Sequence, residues 1–138
     1  MQSDLKRFLT AQERDYTRAL VEIKNGRKQS HWMWYIFPQI AGLGFSETAR
    51  FYAINNLEEA HDYLNHPVLG NRLIEITSAL LPINGKTATQ IFGSPDDLKL
   101  RSSLTLFNSV ANADPVFQAV LDKYYGGLPD PKTLALIK

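Results

Sequence analysis

The chain has 138 residues, 44% of them hydrophobic and 21% charged, and 15 Lys and Arg residues nearly balance 14 Asp and Glu residues. This composition is typical of a single globular domain, predicted to span residues 1–138. The formal charge of +1 argues against nucleic-acid binding, which usually requires a strongly basic face. The sequence contains no cysteine, which excludes disulfides, thiolate metal sites and cysteine nucleophiles.

Targeting signals are not evident in the sequence. The N-terminal residues Met1–Arg7 carry charges but no apolar run of the kind found in signal peptides. A membrane helix needs about 18 consecutive apolar residues, and the sequence has no such stretch. We therefore expect a cytoplasmic protein with no membrane partner.

The first half of the chain carries three helix signals. The capping box Thr10–Glu13 predicts a helix start, and Gly26 predicts the end of that helix. Asn55 or Asn56 is a suitable cap for a second helix. Pro67 stands at a first helical position for the segment 67–81, in which leucine and isoleucine recur at helical spacing.

The second half repeats one start signal three times. A polar residue precedes a proline in Ser94-Pro95, Asp114-Pro115 and Asp130-Pro131, and each pair predicts the beginning of a helix. Strand signals are scarce, because no Asn-Gly or Asp-Gly pair lies between alternating apolar runs. The pattern predicts an all-α fold, a compact single domain of about six to eight helices.

One segment is much more aromatic than the rest of the chain. Both tryptophans, a methionine and two further aromatic residues fall within residues 32–37. A run that is apolar on every side is either buried core or the floor of a cleft. The cleft interpretation makes Trp32, Trp34 and Phe37 ligand-binding residues, and the alternative makes them core.

Polar residues flank this aromatic segment. Lys28 offers a cation for an anionic ligand, His31 offers an imidazole for acid–base work, and Gln39 offers an amide that can orient a ligand. Lys28 and His31 are therefore the candidate catalytic residues. His61 and His66 stand five residues apart and diverge on a helix, so the sequence predicts no metal site.

A second polar group lies on the helix predicted after Pro95. Lys99 and Ser102 are three residues apart and share a helix face. Ser102 and its neighbours form either a buried polar layer or a ligand-facing surface. Ser102 is therefore a further candidate for ligand binding.

Three motifs in the sequence resemble a known family. They are Lys28-x-x-His31-Trp32-Met33-Trp34-Tyr35-Ile36-Phe37-Pro38-Gln39, Glu59-Ala60-x-x-Tyr63-Leu64-x-His66-Pro67, and Ile91-Phe92-Gly93-x-x-Asp96-x-x-Lys99-Leu100-x-Ser102-Ser103.

Over almost the whole chain, the sequence resembles the bacterial domain-of-unknown-function family eighteen-ten. Members of that family are often labelled calpastatin, although nothing here resembles the charge-rich, disordered repeats of the animal inhibitor. The resemblance implies a compact, mostly helical single domain and no established activity. It also adds Gln12, Tyr16, Asp96 and Lys99 to the candidate ligand-binding residues, because they fall at positions that look like family signatures.

These observations support two hypotheses on function. In the first, the protein binds a small polar or anionic metabolite in a cleft with an aromatic floor and acts as a hydrolase or transferase on a nucleotide or ADP-ribose-like compound, without a cofactor. In the second, it is a non-enzymatic module for protein–protein interaction, and the aromatic segment is an exposed partner patch. The exposure of the aromatic side chains distinguishes the two hypotheses.

Overall fold

The computed structural model describes residues 4–137. Residues 1–3 and residue 138 lie outside this range. Residues 1–3 belong to the N-terminal segment that lacks a signal-peptide pattern. The described part contains nine helices, one more than the upper limit predicted from the sequence, and confirms the all-α fold class. The helices are α1 (Lys6–Lys24), α2 (Met33–Ile36), α3 (Glu47–Phe51), α4 (Leu57–Asn65), α5 (Leu69–Ser78), α6 (Ala88–Phe92), α7 (Asp96–Asn108), α8 (Val116–Tyr125) and α9 (Pro131–Leu136).

The first helix begins earlier than the capping box predicts. α1 starts at Lys6, so Thr10 lies inside the helix and does not cap it. The reason is apolar burial, because Phe8 is fully buried and extends the apolar face of α1 toward the N-terminus. The predicted end is confirmed, since Gly26 has a φ of +77° and its N–H donates to the Ile23 carbonyl at 2.8 Å.

Most of the other predicted helix starts are also confirmed. Asn56 and Asp130 cap α4 and α9, each accepting a hydrogen bond from the backbone of the first turn. α7 and α8 begin directly after Pro95 and Pro115. α5 begins at Leu69, two residues later than the position of Pro67 predicts. The five-residue helix α6 was not predicted, although Thr87 and Gln90 form a capping box at its start.

Aromatic side chains from several helices meet in the core. Trp32 and Phe37 are fully buried, and Phe92 of α6 packs edge-on against both rings. Tyr63 of α4 contacts Phe107 of α7, with ring centroids 5.1 Å apart. Tightly packed contacts of this kind connect α2, α4, α6 and α7 in one hydrophobic cluster.

The helices α4 and α5 approach each other closely at Gly70. A Cβ atom built on Gly70 would lie 1.9 Å from the Leu64 carbonyl oxygen, so no larger residue fits without a shift of the backbone. The glycine is therefore required by packing rather than by backbone conformation.

None of the helices within residues 4–137 has the length and apolar character needed to span a membrane.

Candidate functional site

A cleft of about 480 Å³ opens between the loop that precedes α3 and the start of α7. Four of the predicted site residues line it, and the α9 region closes its far side. The four are Trp34, Gln39, Lys99 and Ser102. The other lining residues are Leu43, Gly44, Phe45, Ser46, Ala49, Pro95, Leu98, Arg101, Asp130 and Lys132.

A smaller hollow of about 90 Å³ adjoins the cleft. Four residues line both spaces and form the boundary between them: Trp34, Gln39, Gly44 and Ala49. Arg50 and Asn55 add polar groups on the side of the hollow. The two spaces together form one groove beside Trp34.

The charged residues that line the cleft are mostly cationic. The lining contains three cationic side chains, those of Lys99, Arg101 and Lys132, and one carboxylate, that of Asp130. Arg101 also has a structural role, because its guanidinium donates to the carbonyls of residues 128 and 129 at 2.9 and 2.8 Å. Lys132 is exposed. Two lysines are therefore placed to meet an anion that enters the cleft.

Asp96 connects the cleft to the core through two lysines. Its Oδ2 lies 3.0 Å from Lys28 Nζ, and its Oδ1 lies 3.6 Å from Lys99 Nζ. Each lysine also faces a tryptophan, with Lys28 Nζ 4.9 Å from the Trp32 ring centroid and Lys99 Nζ 5.3 Å from that of Trp34. Asp96 thus positions Lys99 beside the aromatic ring that lines the cleft.

Ser102 and Asp130 form a hydrogen-bonded pair at the cleft wall. The Ser102 hydroxyl lies 2.9 Å from Asp130 Oδ2, which also accepts from the Thr133 hydroxyl at 2.6 Å. Burial by itself would raise the pKa of Asp130, but the hydrogen bonds from Thr133 and Ser102 outweigh it and lower that pKa. Asp130 is therefore an ionised cap of α9 at neutral pH.

The structure corrects the predicted aromatic floor. Trp32 and Phe37 are fully buried and do not line the cleft, which leaves Trp34 as the part of the aromatic segment that reaches it. Trp32 has a buried acceptor, because its indole N–H donates to Glu22 Oε1 at 2.9 Å, and Phe37 packs against the rings of Trp32 and Phe92. Trp32 and Phe37 thus belong to the core, and Trp34 of the same segment lies at the cleft.

The two predicted catalytic residues do not lie together at the cleft. Lys28 is 7% exposed and paired with Asp96, and its ammonium also donates to the Ser30 carbonyl. His31 is exposed, and it is not among the residues that line the cleft. Because neither group reaches the space where a ligand would bind, the structure offers no support for a catalytic role.

Gln12 and Tyr16 lie in a separate polar network inside the fold. The Gln12 amide donates to the Tyr35 carbonyl and to the Tyr63 hydroxyl, both at 2.8 Å. The Tyr16 hydroxyl donates to the Glu75 carboxylate and also lies 3.1 Å from the Arg72 carbonyl oxygen. Burial raises the pKa of Tyr16, so the phenol remains neutral. These residues tie α1 to other parts of the core and not to the cleft.

Four of the cleft residues were not predicted from the sequence. Phe45, Arg101, Asp130 and Lys132 were not among the candidates, although Asp130-Pro131 was identified as a helix start. The docking of α9 against α7 brings Asp130 to Ser102 across 28 positions of sequence, whereas Phe45 reaches the cleft from the loop before α3.

No group of three His, Asp or Glu side chains suited to a metal ion occurs within residues 4–137.

Comparison with known protein families gives a match over nearly the whole sequence. The model of the family described as "Protein of unknown function (DUF1810)" matches residues 2–137. The chain belongs to this family. The resemblance found in the sequence motifs is thereby confirmed, and the family description names no activity.

One solved structure is very similar to this protein. It is the crystal structure of the conserved hypothetical protein Rv1873 from Mycobacterium tuberculosis, which is 50% identical to this chain. The alignment covers 97% of this chain and 96% of the mycobacterial chain, with a TM-score of 0.95. No curated protein matches the chain.

Proposed function

We propose that this protein binds a small anionic metabolite in the cleft beside Trp34. The observation that carries the proposal is the charge at the cleft, where Lys99, Arg101 and Lys132 outnumber the carboxylate of Asp130 in the lining and that of Asp96, which lies 3.6 Å from Lys99 Nζ. The volume of about 480 Å³ lies within the range of small-molecule sites. An anion there gains from two lysines while the low-dielectric walls strengthen the attraction.

The geometry supports binding more than catalysis. Lys28 and His31, the expected catalytic residues of a hydrolase or transferase, lie outside the cleft. Ser102 has a carboxylate partner in Asp130, but that carboxylate is also the cap of α9 and its pKa is lowered, so it is a weak base. We therefore assign a binding role and no reaction.

The alternative of a partner patch finds less support. It requires the aromatic segment to be exposed, whereas Trp32, Tyr35 and Phe37 are buried. Large exposed apolar side chains do occur elsewhere, and two of them, Phe45 and Leu98, line the cleft itself. These side chains are better explained as part of a ligand site than as a flat interface.

Titration with simple anions tests the proposal. We expect ribose 5-phosphate and pyrophosphate to raise the melting temperature of the protein and to quench the fluorescence of Trp34. The double variant Lys99→Ala/Lys132→Ala removes both lysine charges from the cleft and should abolish both effects. The wild-type protein should bind these anions more weakly at higher ionic strength, because the attraction is electrostatic.

Lys6→Ala/Lys24→Ala is the matched control. Both are exposed lysines of α1 outside the cleft lining, so the double replacement removes two charges without touching the cleft. The control variant should retain the full shift in melting temperature. The proposal is wrong if none of the anions binds the wild-type protein, or if binding survives in the double variant.

A further inference from the structure

Phe45 lines the cleft and is unusually exposed. Its side chain is 75% exposed, more than any other large apolar side chain in the described part of the chain. Leu98 of α7 lines the same cleft and is 58% exposed. Exposed apolar side chains that share one concave site can be buried by a ligand.

Close packing of the loop on both sides of Phe45 fixes the position of its backbone. A Cβ atom at Gly44 would lie 2.6 Å from the Ala49 side chain, and one at Gly42 would lie 3.1 Å from that of Leu136. Directly after Phe45, the Ser46 hydroxyl accepts from the Ala49 N–H at 3.1 Å and caps α3. The fold therefore places the Phe45 ring at the cleft and not in the core.

The cleft has both an apolar and a cationic part. Trp34, Phe45 and Leu98 supply apolar surface, and Lys99 and Lys132 supply positive charge. A bare phosphate would pair with the lysines and leave the apolar surface in water. A neutral ring would cover the apolar surface and leave the lysines without an anion. A flat heteroaromatic ring that carries an anionic group uses both parts.

We propose that the ligand is a nucleoside monophosphate whose base packs against Phe45 and whose phosphate pairs with Lys99. Phe45 is then a specificity-determining residue, because it distinguishes a nucleotide from a sugar phosphate that lacks a base. This inference rests on the proposed function. Contact between a base and an aromatic side chain contributes about tenfold in affinity.

Calorimetric titration of the full chain tests the inference. The probes are AMP, GMP, CMP, UMP and ribose 5-phosphate. At least one nucleotide should bind the wild-type protein about ten times more tightly than ribose 5-phosphate. Phe45→Ala should weaken that nucleotide to the level of ribose 5-phosphate and leave ribose 5-phosphate unchanged, whereas Phe45→Tyr should retain the preference.

Phe51→Ala is a matched control. Phe51 is also an exposed phenylalanine, at 59%, but it lies on α3 outside the cleft lining, so its loss should change neither affinity. Equal binding of nucleotides and ribose 5-phosphate, or a preference that survives Phe45→Ala, overturns the inference while leaving the proposed function intact. If none of the five compounds binds, the inference fails, and the proposed function fails with it if pyrophosphate does not bind either.

Discussion

Asp96 Oδ2 lies 3.0 Å from Lys28 Nζ, and this ion pair joins the loop after α1 to the first turn of α7. The Lys28 side chain is 7% exposed and that of Asp96 is 21% exposed, so the pair is largely removed from water. A buried ammonium without its carboxylate is costly, whereas an apolar replacement of similar length is tolerated much better. This asymmetry makes the pair suitable for mutational analysis.

We expect Asp96→Asn to lower the free energy of unfolding by about 1–3 kcal/mol, because Lys28 is then left with only the Ser30 carbonyl and the Trp32 ring. Lys28→Met should cost less, since it removes the buried charge itself. Urea unfolding of both variants measures the difference. A larger loss in Lys28→Met than in Asp96→Asn would contradict this account.

Glu22 provides a second test, in which pH is the variable. Its carboxylate accepts hydrogen bonds from the backbone N–H of Gln29 at 2.7 Å and of Ser30 at 3.0 Å, the Ser30 hydroxyl at 2.6 Å and the Trp32 indole at 2.9 Å. Burial by itself would raise the pKa of Glu22, but these hydrogen bonds lower it below the ordinary value. The folded state therefore prefers the ionised carboxylate.

We expect Glu22→Gln to reduce stability at neutral pH by about 2 kcal/mol, because an amide cannot accept all four hydrogen bonds. The wild-type advantage is fully present above the unfolded pKa of about 4.3 and is lost as the pH falls through the lower folded pKa. Urea unfolding at pH 7 and in acid should show the two proteins converging. Glu13→Gln, an exposed change on the same helix, should have little effect at either pH.

Asp130 distinguishes a structural carboxylate from one that takes part in ligand binding. We expect Asp130→Asn to keep most of the stability, since Asn is also a good helix cap, and to raise the affinity for ribose 5-phosphate two- to fivefold by removing a negative charge from the cleft. Asp130→Ala should in addition lose about 1–2 kcal/mol of stability with the cap. A loss of affinity in Asp130→Asn would show instead that the carboxylate contacts the ligand.

Helix propensity and steric packing predict opposite effects for the substitution Gly70→Ala. Alanine is favoured over glycine inside a helix by about 1 kcal/mol, so helix propensity alone expects Gly70→Ala to stabilise the protein. The Cβ atom would lie 1.9 Å from the Leu64 carbonyl oxygen. We expect this clash to outweigh the gain in helix propensity and to lower the free energy of unfolding by about 1–3 kcal/mol. A rise in melting temperature would show that α4 and α5 can separate at little cost.

Local sequence signals were sufficient for the fold class, for the starts of α4, α7, α8 and α9 and for the end of α1. Caps such as Asn56 and Asp130, the prolines before α7 and α8, and Gly26 after α1 act within one turn of chain, so their effect can be inferred from neighbouring residues alone. The start of α1 was misplaced because burial of Phe8 extends the helix past the Thr10 capping box. In that case packing outweighed a local signal.

The all-α class, the family and the aromatic segment that contains Trp34 follow from the sequence alone. The tertiary structure determines which of its rings reach the cleft: Trp34 lines it, whereas Trp32 hydrogen-bonds to the buried Glu22 carboxylate and Phe37 packs in the core against Phe92. It also brought Asp130 to Ser102 through the docking of α9 on α7. Contacts between residues far apart in the chain have no local signature, and the site is made of such contacts.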